Sequence, residues 1–215
     1  MKLMVLKKVM GNNLEIADGN RRYFAERHLL TVNVMASPGA GKTSLITALL
    51  TALRGTTNTA VIEGDIASSI DAEAIEGMGV PVVQINTGGG CHLDAPSIRA
   101  AAEELDVRDG ILFIENVGNL VCPSSFDLGE QVRLVVASVP EGHDKPFKYL
   151  SMFESADLIV LNKVDLAPYI DFDRALFTKG VAAINTKGAP IFEVSCRTGD
   201  GVPAVVERLL GMLPR

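Results

Sequence analysis

The sequence predicts a three-layer α/β/α domain around a mostly parallel central sheet of about seven strands. Three observations carry that expectation. Apolar, β-rich runs recur at 31–36, 59–63, 82–85, 110–115, 132–139, 158–162 and 191–194. Segments of helical periodicity alternate with them, among them 43–53, 96–105 and 202–213. Several runs, such as Ile111-Leu112-Phe113-Ile114, are apolar without alternation, as strands covered on both faces should be.

Residues 1–30 read as an N-terminal arm, helical over 12–28 with Leu14, Ile16, Tyr23 and Phe24, packed outside a 31–215 core and forming one unit with it. The first core strand, 31–36, runs into the turn Ser37-Pro38-Gly39-Ala40-Gly41-Lys42-Thr43-Ser44. A helix follows, with Leu45, Ile46, Leu49, Leu50 and Leu53 on one stripe. Glu63-Gly64-Asp65 ends the second run, and Glu115 ends the fourth. Asn162-Lys163-Val164-Asp165 closes the sixth, and Ser195-Cys196-Arg197 follows the last. Nothing repeats at a solenoid period, and no stretch is of low complexity.

A chain of 215 residues, 47% hydrophobic and 21% charged, is long enough to bury a full core and short enough for one domain. A net charge of −6 without any Lys/Arg block argues against nucleic acid or an anionic membrane as partner. No apolar run approaches the roughly 18 residues that span a bilayer. Residues 1–10 are broken by Lys7-Lys8, too early for a signal peptide, so a cytoplasmic protein is expected. Three cysteines fit thiols or metal ligands better than a disulfide framework.

The turn from Ser37 to Ser44 is a triphosphate cradle. Gly39 and Gly41 let consecutive N–H groups face phosphate, Lys42 supplies a point charge, and Thr43 supplies a hydroxyl for Mg²⁺. Ala36 stands where the pattern asks for a first Gly, a place at a strand end that needs no positive φ. Asp165 can accept from both N1–H and the 2-amino group of guanine, while adenine would leave the acid unpaired, so GTP is expected over ATP. Asn162 would hold that loop, Lys163 would lie along the base, and the Ser195-Cys196 backbone would donate to O6. Asp65 and Glu115 are expected on the metal side of the phosphates, one binding Mg²⁺ and either one orienting water; with Lys42 they form the expected catalytic set. Gly118 would let the backbone approach the γ-phosphate, making 116–123 a switch segment, whereas Asp127 and Glu130 read as surface charges.

Cys91-His92 follows three glycines, and Cys122 lies in the loop after Glu115. Thiolate and imidazole suit Zn²⁺ or Ni²⁺ and not Mg²⁺. Three ligands are one short of a closed tetrahedral site, which leaves either an exchangeable position or sharing across a two-fold axis. The alternative is that these Cys and His side chains are simply buried, and His28 and His143 are given no functional role.

These motifs, with Asn86-Thr87-Gly88, Cys91-His92-Leu93-Asp94-Ala95, the run from Glu115 to Pro123, and Asp144-Lys145-Pro146, together resemble the HypB family over roughly residues 10–213. The resemblance implies a SIMIBI-class P-loop GTPase that serves nickel insertion into [NiFe] hydrogenases. It implies a GTP-dependent homodimer with Cys91, His92 and Cys122 binding Zn²⁺ or Ni²⁺ at its interface, a HypA-type partner, and a hydrogenase large-subunit precursor as recipient. Residues 1–30 contain no Cys and only His28, so the N-terminal nickel motifs of some members are not expected. The competing readings are a GTPase serving urease or a cobalamin enzyme, a P-loop kinase, and a zinc-stabilised dimerisation module without turnover.

Overall fold

The computed structural model describes residues 2–5, 13–65 and 70–214. Their strands are β1 (Lys2–Val5), β2 (Leu29–Ala36), β3 (Asn58–Asp65), β4 (Val82–Asn86), β5 (Gly110–Glu115), β6 (Val132–Ser138), β7 (Leu158–Asn162) and β8 (Ile191–Glu193). Their helices are α1 (Asn13–Glu26), α2 (Lys42–Leu53), α3 (Ile70–Gly77), α4 (Ala95–Leu105), α5 (Lys145–Lys148), α6 (Leu150–Ser155), α7 (Arg174–Ile184) and α8 (Val202–Leu210). The strands form one sheet in the order β1-β4-β3-β5-β2-β6-β7-β8, every neighbouring pair parallel.

The seven expected strands are present, and β1 adds an eighth at the edge beside β4. It lies within the stretch expected as a helical arm. Four residues beginning with Lys2 are too short to show a strand period, and only pairing with β4 defines them. The remainder of the arm expected at 6–12 lies outside the described residues. β2 starts at Leu29, and α8 ends at Leu210, before Gly211, rather than running on to 213.

Strand alternation sorts the core into layers. Leu30, Val32, Val34 and Ala36 of β2 pack with Leu45, Ile46, Leu49, Leu50 and Leu53 of α2 and with Val202, Val205 and Leu209 of α8. Burying each such side chain stabilises the fold by about 1.5–3 kcal/mol, which explains why the α2 stripe overrides the lack of a side-chain cap. On the opposite face, Tyr23 and Phe24 of α1 join Ile98 and Ala101 of α4 over β3, β4 and β5. Met152 and Phe153 of α6 join Phe177 and Val181 of α7 over β6 and β7. No helix among the described residues is long and apolar enough to cross a membrane.

Asp127 and Glu130 are not surface charges. Glu130 is buried and takes a hydrogen bond from Arg133 Nε at 2.8 Å, a partner on the next strand that compensates its desolvation. Asp127 is half-buried and forms an ion pair with Arg21 of α1.

Candidate functional site

The turn after β2 depends on two glycines in the left-handed region, Gly39 at φ 78° and Gly41 at φ 101°. A Cβ on Gly41 would also lie 2.4 Å from Asn162 Nδ2, so alanine there would be both strained and crowded. No side chain caps α2, an arrangement that offers its first-turn N–H groups to an anion. Ala36 is fully buried at the end of β2 with no positive φ, so its methyl costs the loop no strain.

Over this loop opens a cleft of 480 Å³ whose walls include Lys42, Thr43, Glu63, Asp65, Asp71 and Glu115. The Thr43 hydroxyl donates to Glu115 Oε1 at 2.8 Å or to Asp71 Oδ2 at 3.1 Å, its one hydrogen serving one acid at a time. Burial pushes the Glu115 carboxyl up to about 7, against the pull of the Lys42 charge and the Thr43 hydrogen bond. Glu63, paired with Glu115 across the β3–β5 register, is pushed up to about 8 by burial first and then by the like charges of Glu115, Asp65 and Asp71. Four acids line the cleft against two lysines, Lys42 and Lys163, an excess of acid that favours added positive charge. Buried Glu115 Oε2 has no hydrogen-bond partner among the described residues, and the neighbouring hydroxyl of Thr43 and carboxylates of Glu63, Asp65 and Asp71 offer oxygen ligands, a set that fits Mg²⁺.

Glu63 and Asp71 were not singled out from sequence. An acid inside the run Ala60-Val61-Ile62-Glu63 was a usable signal, because a strand covered on both faces does not bury a carboxylate idly. Asp71 gave none, since only the packing of α3 brings it to Thr43.

Asn162 staples the far wall. Its Nδ2 donates to Ala40 O at 3.0 Å, and its Oδ1 accepts from Lys163 N at 2.8 Å with Cys196 N at 3.4 Å. Lys163, itself left-handed at φ 59°, places its Nζ 2.6 Å from Gly39 O. Asp165 Oδ1 accepts from Ser195 Oγ at 2.7 Å, fixing the carboxylate relative to the Ser195-Cys196-Arg197 turn.

The soft-ligand residues also come together. The ligand atoms of Cys91, His92 and Cys122 all lie within 4.8 Å of one another, and all three residues are partly exposed. Left-handed Gly88 and Gly89 turn the chain after β4, and the Thr87 hydroxyl closes the turn on Gly90 O at 2.9 Å. Cys122 begins a short 3-10 turn, Cys122–Ser125. The His92 ring stacks on Phe126, centroids 3.6 Å apart and planes at 20°. Burial pulls the His92 imidazole below its usual value, favouring the neutral ring that binds metal.

A family model described as CobW/HypB/UreG, nucleotide-binding domain, matches residues 30–192. Hydrogenase maturation factor HypB of Escherichia coli K12 is 49% identical over 195 residues, covering 90% of this chain and 67% of that protein. The crystal structure of hydrogenase maturation factor HypB from Archaeoglobus fulgidus superposes with a TM-score of 0.87 at 38% identity, covering 94% of this chain and 98% of the other. That of HypB from Helicobacter pylori in complex with nickel gives 0.88 at 34%, covering 94% of each chain.

Proposed function

This chain belongs to the CobW/HypB/UreG family, on its HypB branch of hydrogenase maturation factors, and from that membership we propose that it hydrolyses GTP to control a nickel-binding site. The observation that carries the reading is the convergence of Cys91, His92 and Cys122, with Cys122 on the stretch of chain that starts at Glu115 beside the phosphate cleft.

GTP is the substrate. Asp165 accepts from guanine N1–H and the 2-amino group, Lys163 lies along the base, and the Cys196 N–H turns to O6. The N-terminus of α2 and Lys42 hold the β- and γ-phosphates. Thr43 and one acid of the Asp65/Glu115 pair would hold Mg²⁺, which would supply countercharge to the phosphates. The member of the Asp65/Glu115 pair not engaged there orients the attacking water.

A Cβ on Gly118 would lie 3.3 Å from three Pro38 atoms, so Gly118 packs directly on the phosphate loop, and through it 116–123 would respond to a γ-phosphate. A shift there carries Cys122 with it. GTP therefore completes the soft-metal site, shared between two copies of the chain, and hydrolysis releases Ni²⁺. The chain would receive nickel through a HypA-type partner and pass it toward a hydrogenase large-subunit precursor. Zn²⁺ competes for the same ligands.

Titrating Ni²⁺ into the protein with GDP and with a non-hydrolysable GTP analogue tests this. Tighter binding with the analogue is expected, together with its loss in Cys122→Ala. Equal affinities in the two nucleotide states would overturn the coupling.

A further inference from the structure

Under the two ligand loops runs a buried polar chain that nucleotide chemistry does not use. Asn33 of β2 and Asn116, the residue after β5, are both fully buried. Asn116 Oδ1 accepts from Leu93 N at 3.2 Å and from Val117 N at 3.0 Å. Its Nδ2 donates to Asn33 Oδ1 at 3.2 Å, and Asn33 Nδ2 donates to Glu130 Oε1 at 3.2 Å. Glu130 Oε2 accepts from Leu128 N at 2.8 Å, while Oε1 also accepts from Arg133 Nε at 2.8 Å. The remaining arms of the Arg133 guanidinium reach Ser124 O at 3.2 Å and Phe126 O at 3.5 Å.

The ends of this chain are its informative part. Leu93 follows His92 directly. Ser124 belongs to the turn that Cys122 begins, and Phe126 carries the ring on which His92 stacks. The third end, Asn116, follows Glu115. A buried carboxylate and two buried amides, with a partly buried guanidinium against them, are costly to desolvate, and apolar residues of similar volume would serve stability as well. What such residues cannot provide is a fixed separation between two loops that have no strand pairing with each other. Fully satisfied polar chains do fix such separations, and outer partners of this kind orient metal ligands.

We propose that Asn33, Glu130 and Arg133 are positioning residues of the nickel site, holding the Cys91-His92 loop and the Cys122 loop at one separation and referring both to the residue after Glu115. This rests on the metal reading given above. Arg133 acts at a distance from the ion, through the Ser124 and Phe126 carbonyls. Glu130 acts by anchoring Arg133 and Asn33 at once.

The test uses Glu130→Gln, which keeps the size and removes one anionic acceptor, and Arg133→Lys, which keeps the charge and removes the fork. Ni²⁺ affinity is measured by competition with a chromophoric chelator, coordination by the visible and thiolate charge-transfer bands of the Co²⁺-loaded protein, and GTP-analogue affinity in parallel. The expected result is about 10- to 100-fold weaker Ni²⁺ binding with shifted Co²⁺ bands and unchanged nucleotide affinity. Where Glu130→Gln does not fold, Arg133→Lys decides. A folded variant with wild-type Ni²⁺ affinity and wild-type bands overturns the proposal, as does an equal fall in metal and nucleotide affinity. Cys122→Ala is measured alongside: if it keeps wild-type Ni²⁺ affinity, the metal reading itself falls, and if it alone loses nickel, only the positioning role falls.

Discussion

The Thr43 hydroxyl lies 2.8 Å from Glu115 Oε1, joining the end of the phosphate loop to the C-terminal end of β5. Because Glu115 is 3% exposed and its other oxygen has no partner among the described residues, its contribution depends on the charge it meets in the cleft. Glu115→Gln keeps the shape and removes the anion. Phosphate release from GTP should fall on the order of 100-fold, while nucleotide binding in EDTA stays within about twofold of wild type, because the loop itself is untouched. A variant that hydrolyses GTP normally would remove Glu115 from the reaction.

Asp165 is held by Ser195 Oγ at 2.7 Å, so its carboxylate meets a base in one orientation. Asp165→Asn exchanges one acceptor oxygen for a donor amide. Guanine then faces a donor with its 2-amino group, whereas xanthine presents a carbonyl at that carbon. Calorimetric titration should show GTP affinity falling by about 100-fold or more and XTP overtaking it. Unchanged preference for GTP would mean that Asp165 does not read the base.

The arm helix α1 clamps the two ligand loops from outside. Fully buried Asn20 Nδ2 donates to Ala95 O and to Leu128 O, each at 2.9 Å. A Cβ on Gly129 would lie 2.5 Å from Ala17 O, so the helix rests on loop backbone. Asn20→Ala removes two buried hydrogen bonds and should cost about 1–3 kcal/mol in chemical denaturation. A loss within error would mean that α1 is not coupled to the core.

A second α1 contact predicts an acid dependence. Burial alone would raise the Asp127 carboxyl, but hydrogen bonds from Arg21 and the Gly129 N–H, with the Arg21 and Arg133 charges, carry it below the usual 3.8. A carboxylate depressed in the folded state contributes stability that is present above the unfolded value and lost as pH falls through the folded one. Asp127→Asn should therefore melt below wild type at pH 7, by an amount that shrinks once pH drops below about 4. Arg21 is substantially exposed, so the gap should be about 1 kcal/mol or less. A gap that persists into strong acid would place the effect in packing rather than charge.

Where residues are contiguous, their gathering was legible in the sequence: the glycine turn after β2, the Asn-Lys-x-Asp run, and Cys91-His92 with Cys122 all fall at one end of the sheet. Each is a local backbone device with a fixed spacing. What stayed hidden depends on the register of parallel strands. Glu63 matters because β3 pairs with β5 in the register that sets it beside Glu115. Glu130 read as solvated because a charge ahead of a strand usually is, and only the folded chain sets Asn33 and Arg133 against it. Asp71 lies in a helix whose sequence does not announce that its first turn faces Thr43. β1 is four residues long and becomes a strand only by docking on β4.

Register also makes Gly64 a sensitive position. A Cβ there would lie 2.8 Å from both Leu93 methyl carbons and 2.9 Å from its Cγ, and Leu93 is fully buried with its N–H held by Asn116 Oδ1. The leucine cannot swing into solvent, so Gly64→Ala must push the segment that follows His92. Overpacking of this kind costs about 1–3 kcal/mol. Ni²⁺ affinity should fall with stability, since the displaced residue is chain neighbour to a ligand. The double variant Gly64→Ala/Leu93→Val removes one of the crowded carbons and should recover part of both losses, giving a favourable interaction energy in a double-mutant cycle. Strict additivity of the two changes would show that Gly64 and Leu93 do not act through the same contact.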